Sequence, residues 1–375
     1  MKKLIIILFI IFHQISFSQI KLNDELNTLI NNYYPEKENP GIMLQVFDRH
    51  GGIIYSKGQG LTDLRSKNSI SEHSNFRMAS VSKQFTAMSI LILEEEGKLD
   101  LYDTSLSFYF PKLKGPIRNS NIANLLNHSS GIVDYENLIS DRIKGQLSDA
   151  DVLKLVEPID SVYFTPGDKF RYSNTGYCLL ALIVEKVSKM DYSSFVKAKI
   201  FDPLQMNNSI VYNPTDKIID RAYGYHMNQD SFIFADQSLT SATKGDGGVY
   251  TSAADYRNWN TDFQKLIKGK QKFETIFKNN IAVVTNQISY SLGKFRGYDQ
   301  FSNEVYFHSG ESTGFNNFVL SIPERSISIS LFSNRDDEKI GPFIKDLMNV
   351  LNIKIKGLES QSIFPWLSNI YSNHF

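Results

Sequence analysis

The sequence predicts an α/β (α+β) fold in which an antiparallel β-sheet, flanked by terminal helices, stands beside an inserted, all-helical lobe. Runs rich in β-branched and aromatic residues lie near both ends of the chain, and a long helix-rich stretch, about residues 111–284, separates them. Length agrees with one large unit: 375 residues with 42% hydrophobic content can bury a substantial core.

In chain order, Lys2 and Lys3 precede an apolar run from Leu4 to Phe12, and the small residues Ser16 and Ser18 follow. That is the pattern of a cleaved signal peptide over residues 1–18, with the mature chain starting near Gln19 and exported to a periplasm or beyond. The run is far shorter than the ~20 residues of a spanning helix, and no later segment reads as a membrane anchor. Asp24 to Tyr34 reads as a surface helix. Ile42 to Phe47 and Ile53 to Ser56 flank the turn Asp48-Arg49-His50-Gly51-Gly52 and predict a hairpin. Val81, Phe85, Met88, Ile90, Leu91, Ile92 and Leu93 are apolar on most sides of a helix ended by Gly97. Late strands are expected at Gln287 to Phe295, Glu304 to Phe307, Phe315 to Ile322 and Ser326 to Phe332. The expected layout is a sheet lobe, about 20–110 and 285–356, with a helical lobe between. The tail 357–375 carries no decisive pattern: it is a docked segment or a frayed end.

Charge excludes some partners. Forty basic and forty acidic residues cancel, so no strong field is set up for nucleic acid or an anionic membrane. Cys178, the single cysteine, permits no intrachain disulfide, and its apolar helical run reads as core. The seven histidines form no H-E-x-x-H and no Cys/His ligand pattern, so neither a metal nor another cofactor is expected. The 26 Phe and 19 Tyr read as core residues, not a patterned binding stripe.

Three short motifs carry chemistry: Ser80-Val81-Ser82-Lys83, then Tyr172-Ser173-Asn174, then His308-Ser309-Gly310. A serine with a lysine one helical turn away, a tyrosine able to pass the proton on, and a strand that closes the site are the parts of acyl transfer. Single motifs decide nothing, because S-x-x-K recurs at Ser18, Ser194, Ser241 and Ser291, and Y-x-N recurs at Tyr135, Tyr256 and Tyr371. Context separates them. Ser80 and Lys83 open the buried helix, where i and i+3 share a face and the helix dipole favours developing negative charge. The bland alternative is a capping serine with a solvated lysine.

Around these motifs, Phe76 to Ala87, Leu125-Leu126-Asn127-His128-Ser129-Ser130-Gly131-Ile132, Tyr172 to Tyr177 and Gly245-Asp246-Gly247-Gly248-Val249-Tyr250-Thr251 resemble the penicillin-recognising serine hydrolases. The resemblance is to the class C β-lactamase, DD-peptidase and esterase branch and spans roughly residues 25 to 350. It implies a β-lactamase/transpeptidase-like fold with the active site in the cleft between lobes. It implies Ser80 as nucleophile, with Lys83 and Tyr172 as an acid/base unit whose division of labour the sequence leaves open. It implies that Asn174 binds the acyl side chain and Lys83, and that His308, Ser309 and Gly310 form the substrate-binding strand. The backbone N–H groups of Ser80 and Glu311 would be the oxyanion hole.

Histidine stands where β-lactamases carry a lysine, so partial protonation and weaker carboxylate recognition are expected of His308. Gly310 is expected to let a substrate backbone approach the strand. Amide or ester bonds, above all D-amino-acid peptides of the cell wall, are the expected substrates of a DD-carboxypeptidase-like enzyme, with β-lactamase or small-ester activity as alternatives. The partner is then a small molecule or peptide. A non-catalytic cell-wall or peptide-binding protein of the same fold is the reading from another class. Two rivals fail on context. Gly310-Glu311-Ser312-Thr313-Gly314 matches a nucleophile elbow but is followed by a strand and leaves only His374 downstream. Lys339-Ile340-Gly341 opens a helix. His128-Ser129-Ser130 reads as a structural loop, and Gly247-Gly248 as a turn.

Overall fold

A computed structural model describes residues 19–266, 275–276, 278–358 and 361–372. The expected signal peptide and His374 lie outside the described residues. Thirteen strands are described: β1 Ile42–Phe47, β2 Ile53–Gln59, β3 Phe76–Arg77, β4 Ile210–Val211, β5 Tyr225–Asn228, β6 Ser231–Phe234, β7 Val249–Thr251, β8 Ala282–Val283, β9 Ser289–Ser291, β10 Lys294–Tyr298, β11 Glu304–Ser312, β12 Phe315–Ile322 and β13 Ile327–Ser333. The helices used below are α1 (residues 19–33), α2 Lys83–Glu95, α3 Asp149–Val156, α4 Asn174–Ser188, α5 Ala253–Asp262, α6 Ile340–Val350 and α7 Ile363–Tyr371.

The main sheet runs β2-β1-β13-β12-β11-β10-β9-β8. Its pairings are antiparallel throughout. Side chains alternate between its faces, as a period of two requires. Ile42, Leu44 and Val46 of β1, Phe318 and Leu320 of β12, and Ile329 and Leu331 of β13 join the core built with α1, α6 and α7. Met43, Val319 and Phe332 point the other way, into a core shared with α2 and α4. The sheet is thus flanked by terminal helices on one face, as expected. The inserted stretch holds more helices than strands but is not all-helical, which corrects that expectation: it also carries the β5–β6 hairpin and the strands β4 and β7, which pair with β3 from the preceding segment into a small β3-β7-β4 sheet.

Local boundaries refine the expectation. The run from Gln287 to Phe295 is two strands, because Leu292 (φ 48°) and Gly293 (φ 80°) turn the chain through the left-handed region. The next strand extends past Phe307 to Ser312, through the whole His308-Ser309-Gly310 motif. Gly310 to Gly314 is therefore strand and turn followed by strand, which removes the elbow reading. The helix after Lys339 and the Gly97 stop (φ 67°) stand where the sequence puts them. Among its described residues the tail is docked, since α7 buries Phe364, Trp366, Leu367 and Ile370.

Candidate active site

The chain leaves β3 at Arg77, passes Met78, and turns sharply at Ala79, whose φ of 48° lies in a region that side chains with a Cβ rarely adopt. A single 3₁₀ turn, Ala79–Ser82, then leads into α2. Ser80 is partly exposed on this turn, whereas eleven of the thirteen residues of α2 are buried. The turn packs directly on β11: a Cβ on Gly310 would lie 2.0 Å from the Met78 carbonyl oxygen and 3.3 Å from Val81 Cγ2. Gly310 is thus needed for the protein's own backbone approach, a requirement separate from the expected approach of substrate.

Lys83 is completely buried one turn on. Its Nζ lies 3.0 Å from Ser80 Oγ, 2.7 Å from Asn174 Oδ1 and 2.9 Å from the Asp246 carbonyl oxygen. Burial pulls its pKa down to about 8, against the opposing pull of Asp246, Cys178 and Glu136. Asn174 is positioned at the start of α4, where the Ser173 side chain caps the helix by accepting from Gly176 N–H at 3.2 Å. Its amide nitrogen donates to Glu136 Oε1 at 2.7 Å. Burial raises the Glu136 carboxyl to about 7, while the Asn174 bond opposes that rise.

The Asp246 carbonyl is offered by a loop that is fastened from beneath. Thr86 Oγ1 donates to the Gly245 carbonyl at 2.6 Å, and the Asp149 carboxylate accepts from Lys244 and Gly245 N–H. Asp149, Cys178 and Asp246 bring ligand-type atoms within 4.8 Å of one another. Burial raises Asp149 to about 7 and holds the Cys178 thiol well above its ordinary value. A protonated thiol beside a carboxyl already holding two N–H groups is a poor metal donor set and a good loop anchor.

Tyr172 is buried, and burial keeps its phenol well above its ordinary pKa although an interaction with Ser80 pulls the other way. Lys83 Nζ sits 4.9 Å from its ring centroid. A neighbouring cation ordinarily favours a phenolate, but at Tyr172 desolvation dominates. His128, on a loop at φ 61°, accepts from Ser173 N–H through Nδ1 at 3.1 Å and packs 4.3 Å from the Tyr172 ring. It is a structural support, in line with the loop reading.

His308 is completely buried, and burial pushes it down to about 3, so it is neutral. Its Nδ1 faces the Ser309 carbonyl oxygen and its Nε2 lies 3.3 Å from Tyr290 Oη. The partial protonation expected from its residue type is lost to desolvation. Ser309, Gly310 and Glu311 follow on the same strand. N–H groups of residues i and i+2 face one edge of a strand, so those of Ser309 and Glu311 point to the same side. Ser309 Oγ lies 2.8 Å from Tyr371 Oη and 3.2 Å from Glu311 Oε1.

The expected residues thus converge: Ser80, Lys83, Tyr172 and Asn174 form one contact cluster, and the turn carrying Ser80 rests on Gly310 of the His308–Glu311 strand. Sequence reasoning missed Glu136, the Asp246 carbonyl and Tyr371. Asp246 stands in a stretch quoted for its resemblance, and Tyr371 opens one of the set-aside Y-x-N repeats. Glu136 has no local signal.

Comparison with known proteins shows the family and the fold. Residues 26–350 match the family model described as Beta-lactamase. The chain is 30% identical to penicillin-binding protein 4* of Bacillus subtilis (strain 168) over 310 residues, 77% of this chain and 67% of that protein. It is 25% identical to Protein flp of Staphylococcus aureus (strain MW2) over 364 residues, 94% and 70% of the two chains. Among solved structures, the octameric penicillin-binding protein homologue from Pyrococcus abyssi superposes with a TM-score of 0.74 at 24% identity, covering 92% of this chain and 80% of that one. The D-amino acid amidase from Ochrobactrum anthropi SV3, complexed with L-phenylalanine amide, gives 0.74 at 23%, covering 88% and 98%.

Proposed function

The chain belongs to the β-lactamase family of serine hydrolases, and from that premise we propose that it is an exported enzyme that cleaves amide or ester bonds through a Ser80 acyl-enzyme. The observation that carries this reading is the set of three contacts around Lys83 Nζ. A neutral amine has two hydrogens and one lone pair. With the hydrogens given to Asn174 Oδ1 and the Asp246 carbonyl, the lone pair is left facing Ser80 Oγ. A pKa of about 8 leaves roughly a tenth of the molecules with that neutral amine at pH 7, enough for a general base.

In the proposed cycle Ser80 Oγ attacks the acyl carbon while its proton passes to Lys83. The backbone N–H groups of Ser80 and Glu311 receive the oxyanion. The C–N or C–O bond then breaks, and the proton moves through the Tyr172 hydroxyl to the leaving atom. Water cleaves the acyl-enzyme, releases the acid and restores Ser80. Tyr172 acts as a neutral phenol that relays protons, in keeping with its raised pKa. His308 and Ser309 shape the far wall.

Derivatives of D-amino acids are the proposed acyl class, in line with the cell-wall reading of the motifs. A neutral His308 favours amidase or esterase action over efficient β-lactam hydrolysis, which calls for a cation at that strand. Export rests on Lys2, Lys3 and the apolar run after them. Among the described residues no helix is long and apolar enough to cross a membrane.

Intact-mass spectrometry after exposure to a fluorophosphonate and, separately, to a penicillin tests the proposal, with Ser80→Ala as control. The expected result is a fluorophosphonate adduct that disappears in Ser80→Ala. Hydrolysis that survives Ser80→Ala would refute the assignment, and folded protein that takes neither reagent would favour the binding-protein reading.

A further inference from the structure

Beyond residue 350, where the family match ends, the chain returns to the cleft as α7. This helix is fixed by packing: Trp366 meets Phe295 edge-on at 5.5 Å, and Ser368 Oγ donates to Glu311 Oε2 at 2.7 Å. Its last residue, Tyr371, enters the candidate site. The ring lies 4.5 Å from that of Tyr172 and is stacked at 5.6 Å, with a 16° interplanar angle, on His308. Its hydroxyl accepts from Ser309 N–H at 3.2 Å and Ser309 Oγ at 2.8 Å, donates towards the Ser309 carbonyl at 3.3 Å, and lies 3.1 Å from His308 Nδ1.

This contact occupies a particular edge. β11 pairs with β12 as far as Ser312, but with β10 only as far as Phe307. From His308 onwards its second edge has no strand partner among the described residues. Such an edge is where an extended substrate docks through main-chain hydrogen bonds. Here the Ser309 N–H, its carbonyl and its hydroxyl are all engaged by Tyr371.

We propose that Tyr371 is a specificity-determining residue, which fills the leaving-group side of the cleft and restricts the enzyme to substrates whose leaving group carries no carboxylate. This rests on the Ser80 acyl-enzyme reading. The groups around Ser309 are a neutral imidazole, a phenol and the Glu311 carboxyl. Two cations act on His308: Lys83, held by Ser80, Asn174 and Asp246, and Lys294, whose Nζ lies over the Phe263 ring at 5.1 Å. A carboxylate placed beside Ser309 would lose its water and meet neither a counter-charge nor an unengaged Ser309 donor, which is a costly burial. Ammonia, a small amine or a small alcohol needs no such partner. Within the D-amino-acid class the site therefore selects amides and esters over peptides ending in a free carboxylate, which narrows the carboxypeptidase expectation.

The test uses the full mature chain and two esters with one acyl group, one releasing phenol and the other 3-hydroxybenzoate. Wild-type enzyme is expected to prefer the phenol ester by roughly tenfold or more in kcat/KM. Tyr371→Ala is expected to lower that preference roughly tenfold, chiefly through a lower KM for the carboxylated ester, and Tyr371→Phe to lower it less because the ring remains. A wild-type ratio near one overturns the proposal without recourse to any variant, and so does an unchanged ratio in folded Tyr371→Ala. Failure of the wild type to take a fluorophosphonate at Ser80 would remove the underlying reading, and this inference with it; normal labelling with an unchanged ratio removes this inference alone.

Discussion

At Lys83 the decisive physics is desolvation. A fully buried ammonium with one carbonyl, one amide oxygen and one hydroxyl around it loses more hydration than those dipoles return, so its pKa falls to about 8. The sign for activity follows directly. Raising the pH converts ammonium to the amine that accepts the Ser80 proton, so kcat/KM is expected to climb with pH and level off above about 8. A limb centred near an ordinary lysine value would show that burial does not depress Lys83, and the absence of a rising limb would show that Lys83 is not the base. Glu136 refines the test, because its negative charge holds the lysine pKa up. Glu136→Gln keeps an acceptor for Asn174 but removes that charge, so the rising limb should move to lower pH. Gly310 offers a steric prediction instead. A methyl group 2.0 Å from the Met78 carbonyl oxygen cannot be accommodated unless the turn carrying Ser80 shifts. Gly310→Ala should therefore cost about 1–3 kcal/mol of stability and most of the activity, read by denaturant melts and turnover.

At the level of elements, the site is a meeting of three backbone termini: the strained turn before α2, the capped start of α4 and the end of β11, one edge of which has no strand partner among the described residues. The α4 start is the most testable. Ser173 lies between Tyr172 and Asn174, its hydroxyl caps the helix, and its own N–H is held by His128 Nδ1. Ser173→Ala should destabilise the protein by about 1 kcal/mol. Because the frayed turn carries Asn174, kcat should fall with it. Loss of stability with unaltered kcat would separate the cap from the positioning of Asn174. Buried His128 also explains why a motif that looks catalytic in sequence is structural in space: its ring is walled in by Tyr172, Tyr177 and Tyr290.

Over the whole molecule, what the sequence made legible was what local chemistry encodes. The hairpin turn at Gly51, the glycine stop at Gly97 and the i, i+3 pairing of Ser80 with Lys83 are short-range, so periodicity and turn residues reveal them. What stayed hidden depends on distant contacts. The neutrality of His308 follows from burial among Tyr290, Phe295 and Tyr371, and no residue type announces burial. The docking of α7 is hidden for the same reason, since an apolar run such as Ile363 to Ile370 does not name the surface that will cover it. That dependence sets the last prediction. Fully burying a large apolar side chain contributes about 1.5–3 kcal/mol, and Phe364, Trp366, Leu367 and Ile370 are all buried in the core beside the sheet. Even as an upper bound, their sum rivals the ~5–15 kcal/mol by which a folded chain usually exceeds its unfolded state. A chain ending at Gly357 should therefore lose its cooperative melt, bind a hydrophobic dye and aggregate through the uncovered face. If instead it melts at the denaturant midpoint of the full chain, α7 leans on the sheet without supporting it, and the same protein would then show the cleft with its strand edge open.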